Sequence, residues 1–176
     1  MTDPTVRLAL PGEAEQIAAL QRRGWTQTLP PGLAAAVLGS VSLAAMTDAW
    51  RRAILAPPLA EYRVLVAVGS GRLAGFAAIG PADDPDAVAG RDATIGEFVI
   101  DPRAQRQGHG SRLLNAAVDT LRADRFVRAT WWLRTTDDAL RAFVLSSGWA
   151  ADGAHREVAA EDGAETVRLV RLHTAL

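Results

Sequence analysis

The 176-residue chain has no cysteine, and not one of its 19 basic residues is a lysine. The first absence excludes a thiol nucleophile, a thiolate zinc site and a disulfide framework, and it fits a reducing, cytoplasmic setting. The second excludes the lysine of a Walker-type phosphate loop, a Schiff-base lysine and a pyridoxal-phosphate enzyme. A formal charge of −1 is too little positive charge for a general binder of nucleic acid. His109, His155 and His173 show no metal-ligand spacing, so no metal site is expected. Long hydrophobic runs are missing as well. Gly24 to Thr47 carries no charge, but its continuous apolar part, Leu33 to Met46, is broken by Gly39, Ser40 and Ser42 and is too short for ~30 Å of hydrocarbon. It reads as a buried helix, a subunit contact of a homodimer or an apolar wall over a ligand, with no membrane involved. Met1 to Leu10 offers no signal-peptide core.

What is present has the length of one domain, residues 1–176, with 49% hydrophobic residues to build its core. Val6–Leu10 reads as a strand, and Pro11-Gly12-Glu13 opens a helix with Ile17, Ala18 and Leu20 on its apolar side. Leu33–Leu55 reads as one or two helices stopped at Pro57-Pro58. From Tyr62 the period changes to two: Arg63–Val68 and Leu73–Ile79, joined by Gly69-Ser70-Gly71, predict a hairpin. Pro81–Arg91 is a polar loop expected to face solvent. Thr94–Ile100 is a strand, Gly108–Arg125 a helix with Leu113, Leu114, Ala117, Val118 and Leu121 in one stripe, and Ala129–Leu133 a further strand. Asp137–Ser147 is a helix stopped by Gly148, and two strands follow around a turn at Glu161-Asp162-Gly163. No repeat or linker divides the chain, which predicts a single α+β or mixed α/β domain.

The segment with chemical content runs from Phe98 to Leu114. A strand ends at Asp101-Pro102, and Gly108 and Gly110 follow where a helix begins. The first turn of a helix has amides without intrahelical partners and the positive end of the macrodipole, so an anion such as a pyrophosphate can bind there. Glycine removes the Cβ atoms that would hold the phosphates away. A plain strand-to-helix turn would use glycines in the same way. A Rossmann site fits poorly, because Leu113 stands in place of the third glycine.

Gln105-Arg106-Gln107-Gly108-His109-Gly110 resembles the acetyl-CoA-binding signature of the GNAT superfamily of N-acetyltransferases, Gln/Arg-x-x-Gly-x-Gly/Ala. Gly71–Ala77 looks like the family's hairpin, and Ala142-Phe143-Val144-Leu145-Ser146-Ser147-Gly148-Trp149 resembles its Ala-Phe-Tyr-x-x-x-Gly-Phe element. The resemblance spans the chain and implies a central mixed sheet of about six to seven strands with helices on both faces. It implies acetyl transfer from acetyl-CoA to a primary amine of a small-molecule or peptide acceptor.

On that resemblance, the backbone of Phe98 and Ile100 pairs with the pantetheine arm, and Val99 between them belongs to the cofactor-binding segment. The amides of Gln105, Arg106, Gln107, Gly108, His109, Gly110 and Ser111 hold the pyrophosphate, with Arg103, Arg106 and Arg112 as candidate partners of the phosphates. Asp137 stands where the family has an asparagine. The family's tyrosine, which can protonate the departing thiolate, falls on Val144. Ser147, or Ser146, is then the candidate donor, and Glu97 the candidate base. Trp25 is the candidate for acceptor recognition. A rival reading, which Val144 permits, is an acyl-CoA-binding regulatory or assembly module without catalysis.

Overall fold

A computed structural model describes residues 5–159 and 166–176; the turn expected at Glu161-Asp162-Gly163 lies outside the described residues. Strand β1 is Thr5–Leu8 and is followed by a 3₁₀ turn at Pro11–Glu13. Three helices come next: α1 (Ala14–Thr28), α2 (Pro31–Ser40) and α3 (Leu43–Leu55). Ser42 divides the expected Leu33–Leu55 helical stretch, since its hydroxyl caps α3 by accepting from the Ala45 amide at 3.1 Å. The two helices bend by 75° at this break, and among the described residues no single helix is long and apolar enough to cross a membrane.

The remaining elements are β2 (Arg63–Gly69), β3 (Arg72–Pro81), β4 (Asp92–Ile100), α4 (His109–Ala123), β5 (Arg128–Arg134), α5 (Asp138–Ser146), β6 (Ala150–Ala159) and β7 (Thr166–Ala175). They form a seven-stranded mixed sheet in the order β1-β2-β3-β4-β5-β7-β6. Every neighbouring pair is antiparallel except β4 and β5. A parallel pair needs a crossover connection, and α4 supplies it.

Two apolar clusters cover the two faces. On one, α4 and α5 bring Leu113, Leu121 and Val144 against Ile95, Trp131 and Leu133. On the other, α1 and α3 bring Ile17, Leu20, Trp50 and Ile54 against Val64, Val66 and Phe76. Trp131 and Trp132, adjacent in β5, face opposite sides as alternation requires: Trp131 is buried in the first cluster, while the Trp132 indole donates to Asp84 at 2.9 Å.

That last contact corrects the reading of Pro81–Arg91 as solvent-facing. The Asp84 side chain is only 8% exposed, and Arg171 of β7, 7% exposed, binds Asp84, Asp86 and Asp152 at 3.3, 2.6 and 2.7 Å. A buried guanidinium needs carboxylates on its several N–H groups, and the loop supplies two of them. Composition alone reported the loop's polarity and not its partner, which lies more than eighty residues away in the chain.

Candidate active site

Strand β4 pairs with β5 over only four positions, Asp92–Ile95 against Arg128–Trp131. Beyond them β4 remains on β3 as far as Ile100, and β5 remains on β7 as far as Arg134. The sheet therefore opens between its two parallel strands. The Asp101 amide donates to the Ala74 carbonyl at 2.8 Å. By antiparallel alternation, Val99 and Glu97 also turn their backbone groups to β3, and Phe98 and Ile100 turn theirs to the opening. Of the three strand residues expected to meet a cofactor, Val99 is thus misplaced: its backbone faces β3 and its side chain packs against Gly24 of α1. The Phe98 ring lies 5.0 Å from Trp131 and 6.2 Å from Phe143, measured between centroids, which closes the opening on the α4/α5 side.

A bulge sets the direction of Glu97. The register passes from Ala78 opposite Glu97 to Ile79 opposite Ile95, so Gly96 has no partner. One extra residue reverses the facing of everything beyond it. Ile95 lies in the α4/α5 core, whereas Glu97 shares the α1/α3 face with Val99. Burial there pushes the Glu97 carboxyl up to about 7, against a hydrogen bond from Gln21 and the charge of Arg134, which pull it down.

The turn that follows β4 is built around Asp101. Its carboxylate accepts from the Arg103 amide and guanidinium, each at 3.0 Å, and from Arg23 of α1 at 2.9 Å. These contacts, that of the Arg103 side chain foremost, hold the Asp101 carboxyl down at about 2. Arg106 (φ 62°) and Gly108 (φ 79°) both adopt left-handed backbone, and Gly108 is the N-cap of α4 with no side chain to satisfy the amides of the first turn. Gln105, Arg106, Gln107 and Gly108 are exposed, as is Ser111, and Gly110 is half-buried. The result is an open cup of backbone amides at the positive end of a helix, at the mouth of the split sheet. Such a cup can take an anion.

The remaining candidates have more specific positions. The His109 ring is buried against Gly69 of the hairpin, and burial lowers its pKa, so only its backbone belongs to the cup. All three arginines are exposed, but Arg103 is committed to Asp101 and Arg112 donates to the Gln107 carbonyl at 2.9 Å, which leaves Arg106 as the one of the three without a side-chain partner among the described residues. Asp137 caps α5, accepting from the Leu140 amide at 3.1 Å and from Arg134 at 3.3 Å. Val144 is fully buried. Ser147 is exposed and its hydroxyl donates to the Phe143 carbonyl at 2.9 Å, so its proton is engaged at the helix end; Ser146 donates to the same carbonyl at 2.8 Å. Neither position supports the expected role as thiolate donor. Trp25 lies half-buried one turn beyond Gln21 on α1.

Sequence reasoning missed Gln21 and Arg134, the two side chains that act on Glu97. A signal existed for the first: Gln21 falls within the apolar stripe of Ile17, Leu20 and Gly24, where a polar residue must find a partner. Arg134 gave none.

A family model described as "Acetyltransferase (GNAT) family" matches residues 36–149. Among curated proteins, none matches this chain in sequence. Solved structures share the fold. A ribosomal-protein-alanine N-acetyltransferase from Brucella melitensis has a TM-score of 0.76 at 17% identity, over 98% of this chain and 99% of that one. The PaiA N-acetyltransferase from Thermoplasma acidophilum, in complex with coenzyme A, has a TM-score of 0.74 at 13% identity, over 99% of this chain and 100% of that one. A protein from Salmonella typhimurium solved with its cofactor acetyl-CoA has a TM-score of 0.74 at 18% identity, over 99% of this chain and 95% of that one.

Proposed function

The chain belongs to the GNAT acetyltransferase family, and on that premise we propose that it moves an acetyl group from acetyl-CoA to a primary amine by direct attack. The observation that carries this reading is one of placement. The opening between β4 and β5 has a free strand edge along one wall, a cup of helix-start amides at its mouth and Glu97 on the wall itself.

The residues fit the cofactor. The backbone of Phe98 and Ile100 presents the unpaired edge that an extended amide-bearing arm needs. The amides from Gln105 to Ser111 suit a pyrophosphate, with Arg106 beside them. When bound, acetyl-CoA supplies a thioester whose acyl carbon an amine can attack. Glu97 receives the proton of the acceptor's ammonium, directly or through a water. With its carboxyl at about 7, it is ionised for a large part of the time near neutrality and still basic enough to accept. Trp25 and the uncharged stretch from Gly24 to Thr47 contribute the acceptor's binding surface. The absence of cysteine leaves attack without a covalent acyl-enzyme as the simplest route.

Val144 favours a second reading, since no hydroxyl stands at that core position. In it the domain binds acyl-CoA and acts as a regulatory or assembly module. A panel of amines with detection of free thiol separates the two. Sustained acceptor-dependent release of CoA supports the transferase, and tight binding without turnover on any acceptor supports the module. A burst of CoA release without acceptor, leaving acetylated protein, excludes direct attack.

A further inference from the structure

Gln21 lies in the middle of α1 and is only 6% exposed. A buried carboxamide has two ends to satisfy, an acceptor oxygen and a donor nitrogen. The oxygen is taken by α3: the indole Nε1–H of Trp50 donates to Gln21 Oε1 at 2.8 Å. The Trp50 ring is itself fixed, edge-on to the fully buried Phe76 at 5.1 Å and 75°. An indole N–H can only donate, so the amide oxygen must face Trp50 and the NH2 group must face the other way. That other side is β4, on whose α1/α3 face Glu97 stands, and the Gln21 side chain is the donor that pulls the Glu97 carboxyl down. Helix α1 is held against the strand at this level, because Gly24, one turn on, lets Val99 approach without a Cβ between them.

We propose that Gln21 and Trp50 are positioning residues for Glu97, the indole locking the carboxamide so that its NH2 group holds the Glu97 carboxylate on the α1 side of the split sheet. An NH2 donor stabilises a carboxylate and has no lone pair to offer a carboxylic acid, so the chain favours the form that accepts a proton. The other charged group acting on Glu97 is Arg134 of β5. Strand β3 offers Ala78 opposite, and the arginines of α1 are engaged elsewhere, Arg22 with the carbonyls of Val41 and Leu38 and Arg23 with Asp101. Trp50→Phe keeps the ring and deletes the N–H, freeing the amide to turn its oxygen to Glu97. Gln21→Leu keeps the bulk and deletes both ends.

The proposal deepens the reading of Glu97 as the base, and its test separates the two. The Glu97 carboxyl is titrated by carbon-13 NMR in protein labelled at glutamate, with the resonance assigned by its loss in Glu97→Gln. We expect Gln21→Leu to raise the Glu97 midpoint by roughly one pH unit, the size a hydrogen bond to a charged group carries, and Trp50→Phe to raise it by less. The acidic limb of kcat/KM should move upward in parallel, with the KM for acetyl-CoA within about twofold of its original value. An unmoved Glu97 titration in either folded variant overturns the proposal. A moved titration with an unmoved rate profile sustains the positioning and removes Glu97 as the base. If Gln21→Leu fails to fold, Trp50→Phe gives the same decision.

Discussion

Gly24 of α1 and Val99 of β4 stand so close that a Cβ on the glycine would lie 2.9 Å from Val99 Cγ1. A β-branched side chain on a strand has little freedom to withdraw. Gly24→Ala should therefore push α1 away from β4 and cost about 1–3 kcal/mol, although alanine is the better helix former. Gly39→Ala is the matched control, in a helix with nothing within 4 Å of the added carbon; it should stabilise by roughly 0.5–1 kcal/mol. Equal effects of the two in urea unfolding would show that the contact with Val99 does not limit the packing.

Glu97→Gln keeps the size of the side chain and removes proton acceptance. We expect turnover to fall roughly 10²–10⁴-fold with little change in acetyl-CoA affinity, read by steady-state kinetics and calorimetry. A folded variant with near-normal turnover would end the assignment of the base.

The same variant has the opposite effect on folding. Burial raises the Glu97 carboxyl from 4.5 to about 7, so between these values the folded protein holds a proton that the unfolded chain has released. Stability then falls as pH rises through this window, by up to about 3 kcal/mol, and the glutamine variant escapes the loss. The melting temperature of Glu97→Gln should exceed that of the parent protein above pH 7 and approach it below pH 4.5. A variant that melts lower at pH 8 would make Glu97 a structural ion-pair partner.

In the amide cup at the start of α4, Gly110→Asp should weaken acetyl-CoA binding strongly, because it adds a negative charge at a helix start where an anion is expected. A Cβ at this position meets Phe143 and Ile100 at 3.6 and 3.8 Å, which is ordinary contact. Gly110→Ala should accordingly fold and bind with a smaller loss, and calorimetry on the pair isolates the charge. Unchanged affinity in folded Gly110→Asp would place the cofactor elsewhere.

Arg171→Met should destabilise by about 3 kcal/mol, since it takes from Asp84 and Asp152 the buried cation they share, leaving Asp152 with the half-buried Arg128 and Asp84 with the Trp132 indole and the more distant Arg156. Thermal melting measures the loss directly. A loss below about 1 kcal/mol would make this network no stronger than a surface pair.

The parts of the molecule that could be read from sequence were those whose signal is local. The apolar stripe of α4, the hairpin at Gly69-Ser70-Gly71 and the stop at Gly148 (φ 91°) each depend on residues close together in the chain. The turn from Gln105 to Gly110 was legible for the same reason. Glu97 was identifiable as a carboxylate in the strand that borders the opening, but its direction depends on the Gly96 bulge, which only the register with β3 discloses. Its partners Gln21 and Arg134 come from a helix and a strand brought together by the fold. The pairing of Phe98 and Ile100 with an extended arm was legible from alternation, and the same alternation, fixed by the Asp101–Ala74 bond, turns the Val99 between them to β3. The Asp84–Arg171 pair failed to appear for the plainest reason, since charges in a polar loop carry no mark of which distant strand will bury them.

The four-position seam between β4 and β5 also bears on how the domain holds together. One half of the sheet, β1 to β4, shares few ladder hydrogen bonds with the other, β5 to β7, and is joined to it mainly by the apolar cluster under α4 and α5 and by the Arg171 network. A ligand arm lying along Phe98 and Ile100 would supply the missing rungs on one side and tie the halves through its own bonds. Cofactor binding then acts as a splice. Amides of β5 and β7 should then gain protection from exchange when the cofactor binds along β4, which amide exchange with and without acetyl-CoA measures.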